Sequence, residues 1–307
     1  MLAGDIPEPR AIPMNTKIIG YIISCLPCNT LRGKRLELHN RQIGEWIEHT
    51  DMPLVILAMG YQQNEFHDTL GDRIRYITLD QPVPPAEARN ICLRDFYASG
   101  YRWAALMDND AALYHSPTHN SGYHFIGEMT AQIDRYDDIG LFYPINPVNA
   151  GFRERWTEDP GYLTHHVFER GFSAKGTLVF VRNFAQFGQK PIYQDPAFTF
   201  MEDNAFAYEV LASGQPVFQN WNMVLKELVD AGPLSFFGDT ASRGPRGALA
   251  RQQIVAKFAD DGLRLNASGS LNSRAMVNRC WPLGVRSMVV VPKPVTPLLV
   301  ASSKKEV

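Results

Sequence analysis

The chain predicts an α/β fold in which a mostly parallel sheet is flanked by helices. Short, wholly apolar runs of strand length alternate with longer helical patterns, and proline and glycine punctuate the joints between them. Apolar runs without a polar face are what strands buried on both sides of a parallel sheet require. Lys17 to Ser24 reads as the first such strand. Leu31 to His49 follows as an amphipathic helix with Leu36, Ile43 and Ile47 on its apolar side, and Pro53 to Ala58 is a second buried strand. Arg75 to Leu79 offers a third strand. Pro85 to Ser99 is a helix with proline in its first turn and Gly100 as its stop, leading into a fourth strand, Arg102 to Met107. Further along, Ile139 to Tyr143 and Thr177 to Asn183 read as strands, Ala205 to Ala212 as an amphipathic helix, and Pro216 to Gln219 as a strand after Gly214.

With 307 residues, 45% hydrophobic and 11% aromatic, the chain can bury a large core as one domain or as one domain with an appendage. The net charge of −2 provides no global basic field for nucleic acid or membrane. The apolar runs Ile18 to Leu26 and Leu283 to Val291 are too short and interrupted to span a bilayer. Residues 1–16, acidic and proline-bearing, do not resemble a secretory signal and are expected to form a disordered extension. Four cysteines in a chain of this length make no disulfide framework, so a reducing cytoplasm is the expected setting. Cys25 and Cys28 form a Cys-x-x-Cys for which thioredoxin-like chemistry is weighed against strand-end packing; Cys92 and Cys280 stand alone.

The most informative stretch is Asp108-Asn109-Asp110, at the end of the fourth strand. Alternate side chains of a strand point the same way, so both carboxylates can face one divalent cation beyond the sheet's carboxyl edge, where open α/β sheets bind ligands. Hard oxygen ligands suit manganese or magnesium, and such an ion would neutralise a diphosphate. A simple turn after a strand gives the same three residues. Glu202-Asp203-Asn204 stands before the later helix, where a carboxylate is favoured by the helix dipole and a capping role is the plainer reading. Between the two lies Asn146 to Trp156, rich in groups that stack on sugars or bond hydroxyls, followed by His165, His166 and Arg170. Adjacent histidines on a strand point to opposite faces, so these two read as solvent-exposed. Gly171 to Gly176 lacks the spacing of a phosphate-cradling loop.

The helix opening Pro85-Ala86-Glu87-Ala88-Arg89-Asn90, placed before the Asp-x-Asp strand, resembles the nucleotide-sugar glycosyltransferases of GT-A fold. The resemblance implies one GT-A-like domain over 17–240, with a basic C-terminal extension or lid over 241–307. It implies a nucleotide-sugar donor, with UDP-sugar expected, bound by Arg89, Asn90, Asp108, Ser24, Arg243 and Arg246. It also implies a Mn2+ or Mg2+ ion on Asp108 and Asp110, and Asp203 as the base for the acceptor hydroxyl with Glu202 orienting it. Acceptor contacts fall to Arg153, Arg155, Trp156 and Lys175. The histidine that is a third metal ligand in many such families is missing, since none follows His166.

Residues Arg243 to Arg286 are locally basic, with Arg243, Arg246, Arg251, Lys257, Arg264, Arg274, Arg279 and Arg286 against Asp260 and Asp261. Stretches such as Asn266-Ala267-Ser268-Gly269-Ser270 read as loops able to meet a polyanion, or as part of a lid over the donor diphosphate. With Tyr114 behind the Asp-x-Asp, the set looks like the phage and TET/JBP-associated DNA glycosyltransferases, which implies double-stranded DNA with hydroxymethylated bases as an acceptor. The alternatives are a polysaccharide or protein acceptor, a metal-dependent nucleotidyltransferase, and a non-catalytic nucleic-acid-binding protein.

Overall fold

The computed structural model describes residues 18–26, 31–66, 73–109, 111–114, 139–145, 163–164, 178–227 and 240–280. Its strands are β1 (Ile18–Cys25), β2 (Leu54–Met59), β3 (Ile74–Leu79), β4 (Trp103–Asp108), β5 (Ala111–Tyr114), β6 (Leu141–Ile145), β7 (Leu163–Thr164), β8 (Leu178–Arg182), β9 (Val217–Glu227), β10 (Arg264–Leu265) and β11 (Leu271–Asn272). The helices are α1 (Arg32–His49), α2 (Pro85–Ala98), α3 (Glu202–Ala212), α4 (Thr240–Lys257) and α5 (Arg274–Cys280). All strands but β10 and β11 join one sheet in the order β3-β2-β1-β4-β8-β6-β9-β5, with β7 also on β9.

The first four strands are mutually parallel. β8 runs antiparallel between β4 and β6, and β6 is again parallel to β9. β1, β2 and β8 are buried almost throughout, as their unbroken apolar runs anticipate. Because a crossover helix runs opposite to its strands, α2 and α3 both begin at the sheet's carboxyl edge. The register Ile23↔Asp108 sets the ends of β1 and β4 side by side at that edge, with Ser24 just beyond. No helix among the described residues is long and apolar enough to cross a membrane.

Two elements differ from expectation in their faces. In α1 the fully buried positions are Arg35, His39, Gln42, Ile43 and Trp46, whereas Leu36 and Ile47 are half-buried; the helix is rotated so that polar side chains face the sheet edge. α3 is not amphipathic: Asn204 to Tyr208, Val210 and Leu211 are all buried, because the helix is covered on its outer side as well. That cover comes from the C-terminal part, which the sequence reads as loops. α4 buries Ala250 and Ile254, and Phe258, just past its end, packs on Tyr208 with ring centroids 6.0 Å apart. Ile254, Phe258, Leu263, Leu271, Met276 and Val277 belong to the same core as the sheet. Asn266 to Ser270 is a closed turn between β10 and β11, with the Asn266 side chain accepting from the amides of Ser268 and Ser270. Lys257 ties α4 inward by donating to Asp195 at 2.6 Å and to Glu209.

Helix α1 comes so close to β1 that Gly20 is required. A Cβ there would lie 2.6 Å from one atom of the Trp46 indole and 3.0 Å from Leu54, and the indole is fixed by its Nε1 donating to the Met52 carbonyl at 3.1 Å. Gly20→Ala is therefore expected to cost roughly 1–3 kcal/mol by overpacking. The measurement is urea unfolding, with a lowered midpoint at unchanged slope.

Candidate functional site

The topology delivers three charged groups to one place. Arg89, one turn into α2, is buried to 5% side-chain exposure between Asp108 at the end of β4 and Glu202 at the start of α3. Its Nη2 donates to both oxygens of Asp108, at 2.9 and 3.1 Å, and its Nη1 to Oε1 of Glu202 at 2.8 Å. Burial pulls the Arg89 pKa down, but attraction to Asp108, Glu202 and Asp203 outweighs it and holds the guanidinium above its ordinary value. Glu202 is 12% exposed, whereas Asp108 is 36% exposed and presents its carboxylate to the open edge of the sheet.

The motif around Asp108 is braced from beneath by the polar face of α1. Gln42 donates from Nε2 to the Asp108 carbonyl at 2.8 Å. Asn109 points inward, its Nδ2 donating to Ser24 Oγ at 3.2 Å and its Oδ1 facing Arg35 Nη1 at 3.5 Å. Ser24 also shares a 2.6 Å hydrogen bond with the Tyr61 hydroxyl, and the Tyr61 ring meets His39 edge-on at 5.6 Å between centroids. Sequence reasoning passed over Arg35, Gln42, Tyr61 and the inward role of Asn109. The signal available was the spacing of Arg35, His39 and Gln42, which share a face with Ile43 and Trp46.

Asp203 sits one residue into the first turn of α3. Burial, and then the charge of Glu202, raise its pKa to about 7 against the opposing pull of Arg89 and of two hydrogen bonds from Asn204. Those bonds run from the Asn204 amide at 2.7 Å and its Nδ2 at 2.9 Å, both to Asp203 Oδ1. Tyr143, on β6, donates its hydroxyl to the Asp203 carbonyl at 3.4 Å, and burial and the Asp203 charge push that phenol well above its usual pKa. The helix opens on Met201 with φ 58°, the single non-glycine residue with positive φ among the described residues.

The remaining site residues predicted from the sequence are distributed differently. Asn90 is turned away from Arg89 and closes a reciprocal pair with Gln194, Nδ2 to the carbonyl at 2.7 Å and Oδ1 from the amide at 2.8 Å. Arg246 lies over the Phe200 ring at 5.4 Å, near the start of α3. Asp110, Arg153, Arg155, Trp156, Lys175, His165, His166, Cys28 and the side chain of Arg243 lie outside the described residues. Cys25 is half-buried at the end of β1. Among the described residues no group of three or more His, Cys, Asp or Glu is placed to hold a metal ion. Asp108 nevertheless suits one by its chemistry: it is a hard oxygen donor and, at 36% side-chain exposure, more open to solvent than Glu202 at 12%.

No protein-family model matches the chain. No curated protein matches it either. Its structure is similar to that of S. aureus TarS residues 1–349 in complex with UDP-GlcNAc, with a TM-score of 0.55 at 10% identity over 81% of this chain and 68% of that one. A second structure of S. aureus TarS 1–349 gives 0.51 at 10% identity over 85% and 71%, and a further structure of S. aureus TarS gives 0.51 at 11% over 80% and 40%. The fold is GT-A-like. Identity this low speaks for the fold alone.

Removing the guanidinium takes a buried cation from between two carboxylates, Glu202 at 12% and Asp108 at 36% exposure. Arg89→Met is expected to cost about 2–3 kcal/mol, below the full range for a broken buried pair because Asp108 is partly solvated. Arg89→Lys, which keeps the charge and loses the fork, should lie between the two, as read by denaturant unfolding.

Proposed function

We propose that the chain transfers a sugar from a nucleotide-sugar donor, a UDP-sugar, to a hydroxyl acceptor. The observation that carries this is the Arg89 guanidinium joining the partly exposed Asp108, on the carboxyl edge of a GT-A-like sheet, to Glu202 at the start of α3, where the next residue is the carboxylate Asp203, its pKa raised by burial. The likeness to TarS with UDP-GlcNAc supports a uridine diphosphate on the donor side.

In this mechanism Asp108 and Asp110 hold the divalent cation. The ion, when bound, supplies the positive charge that lets the nucleoside diphosphate bind and leave. Asp203 takes the proton from the acceptor hydroxyl as that oxygen attacks the anomeric carbon. Glu202 raises the basicity of Asp203 by its charge and is held in place by Arg89. Asn204 fixes the carboxylate's direction with its two hydrogen bonds. Ser24 acts through Asn109, keeping the Asp108 turn rigid. Arg246 and Arg243, on the first turns of α4, are assigned to the donor side, and Arg153, Arg155, Trp156 and Lys175 to the acceptor.

Hydroxymethylated DNA remains one acceptor arm of the test. The C-terminal basic residues give it limited support, because Lys257 is engaged by Asp195 and Glu209, Arg279 by Asp261, and Arg264 by the carbonyls of Ala259 and Leu263. The experiment is a panel of nucleotide sugars with Mn2+, scored for nucleoside diphosphate release with carbohydrate, protein, or hydroxymethylcytosine- or hydroxymethyluracil-containing DNA. Acceptor-dependent release from a UDP-sugar is the expected result. Pyrophosphate release from a nucleoside triphosphate would assign nucleotidyl transfer instead, and no release from any donor would overturn the transferase.

Asp203 must be ionised to act, so kcat/KM is expected to rise with pH and level off above about 7. Asp203→Asn should lose at least about a hundredfold in kcat. In Glu202→Gln the charge that lifts the Asp203 pKa is gone, so the acid limb should move to lower pH. The sign for stability is opposite to that for activity. The folded chain keeps a proton on Asp203 that the unfolded chain releases above about pH 4. Ionising Asp203 therefore costs stability as pH rises from there to about 7, and Asp203→Asn should flatten that slope in unfolding measured against pH.

A further inference from the structure

The segment that leads into α3 is bordered by α4. Phe198 is buried, with the Lys257 Nζ 5.5 Å from its ring centroid, and the half-buried Phe200 stands just before Glu202 and Asp203. Gly247 of α4 is buried against this segment: a Cβ there would lie 3.4 Å from the Phe200 ring and 3.5 Å from Nη1 of Arg251, so ring and guanidinium flank one point on the helix. The cations along this border differ in what they hold. Lys257 is engaged by Asp195 and Glu209, and Arg246 lies over the Phe200 ring. Arg251 is half-buried and has no hydrogen-bond or ion-pair partner among the described residues. A guanidinium partly withdrawn from water without acceptors is short of the bonds its five donors can make, and its planar fork matches the oxygens of a phosphate or a carboxylate.

We propose that Arg251 and the Phe200 ring form an acceptor subsite for an anionic group, so that the acceptor is a hydroxyl compound that also carries a phosphate or a carboxylate. This rests on the glycosyl-transfer reading above and narrows its acceptor from any hydroxyl to an anionic one. Phe200 leads directly into Glu202 and Asp203, and Arg251 borders Phe200 from α4, so a molecule whose hydroxyl meets Asp203 extends over this ring and guanidinium. The ring takes the apolar face of a sugar, and the guanidinium takes the anion with charge-assisted hydrogen bonds. Arg251 is a binding residue in this account and takes no part in moving the proton.

The test is calorimetric titration of the full chain with glucose 6-phosphate, glucuronate and glucose, each with and without UDP and Mn2+. At least one of the two anionic sugars is expected to bind the wild-type protein about tenfold more tightly than glucose, the scale of one charge-assisted contact. Arg251→Gln should remove that preference and leave the unfolding midpoint unchanged, and Arg251→Lys, which keeps the charge and loses the fork, should restore part of it. UDP with Mn2+ should leave the binding in place. Displacement by UDP with Mn2+ would assign Arg251 to the donor and overturn the proposal, as would equal binding of all three sugars to wild type or a preference that survives in Arg251→Gln. In turnover, Arg251→Gln is expected to raise KM for the anionic acceptor about tenfold at unchanged kcat, whereas a loss confined to kcat would contradict a binding role. Absence of turnover with every donor would remove the transferase reading, and the titration alone would then decide the anion subsite.

Discussion

A single buried guanidinium organises this molecule's ligand edge. An unpaired charge so far from water is costly, and Arg89 is tolerated because Asp108, Glu202 and Asp203 surround it with negative charge from two other elements. The parallel topology makes this meeting possible, since α2 and α3 both start where β4 ends. Two carboxylates that would otherwise repel are thereby brought to one site with different exposures. Asp108 faces outward, and Asp203 is left with the high pKa that suits a base.

A second layer of polar contacts holds the first in place. α1 turns Arg35, His39 and Gln42 inward, against the usual preference of such residues for solvent. Gln42 and Arg35 are accommodated because the Asp108 carbonyl and the Asn109 side chain receive them, and Ser24 links Asn109 to Tyr61. The middle residue of Asp-Asn-Asp thus works as an anchor driven into the fold, which leaves the preceding carboxylate held from below. On the other flank, α4 and α5 extend the core over α3 and fasten it through Lys257. What the sequence presents as a basic tail is, over 240–280, part of the domain's packing.

The strand and helix alternation was legible because parallel strands buried on both faces need unbroken apolar runs, and the positions of Asp108, Arg89 and Asp203 followed from it. Asn90 was not legible. It stands next to Arg89 in sequence, but one helical step turns a side chain by about 100°, and that step carries it to Gln194. The polar inner face of α1 was hidden for a related reason: Arg35, His39 and Gln42 look like a solvated stripe until the groups that receive them are known. α4 carries Gly244, Pro245 and Gly247, residues that weaken helices, and it survives because its later turns bury Ala250 and Ile254.

That one guanidinium joins the two sides of the site is tested most directly by a double-mutant cycle on unfolding stability, combining Asp108→Asn with Glu202→Gln. The two carboxylates both accept from Arg89. Substituting both should therefore depart from the sum of the single effects by more than about 0.5 kcal/mol. Additive effects within that margin would mean that the two carboxylates are held independently, and would contradict a site built around Arg89.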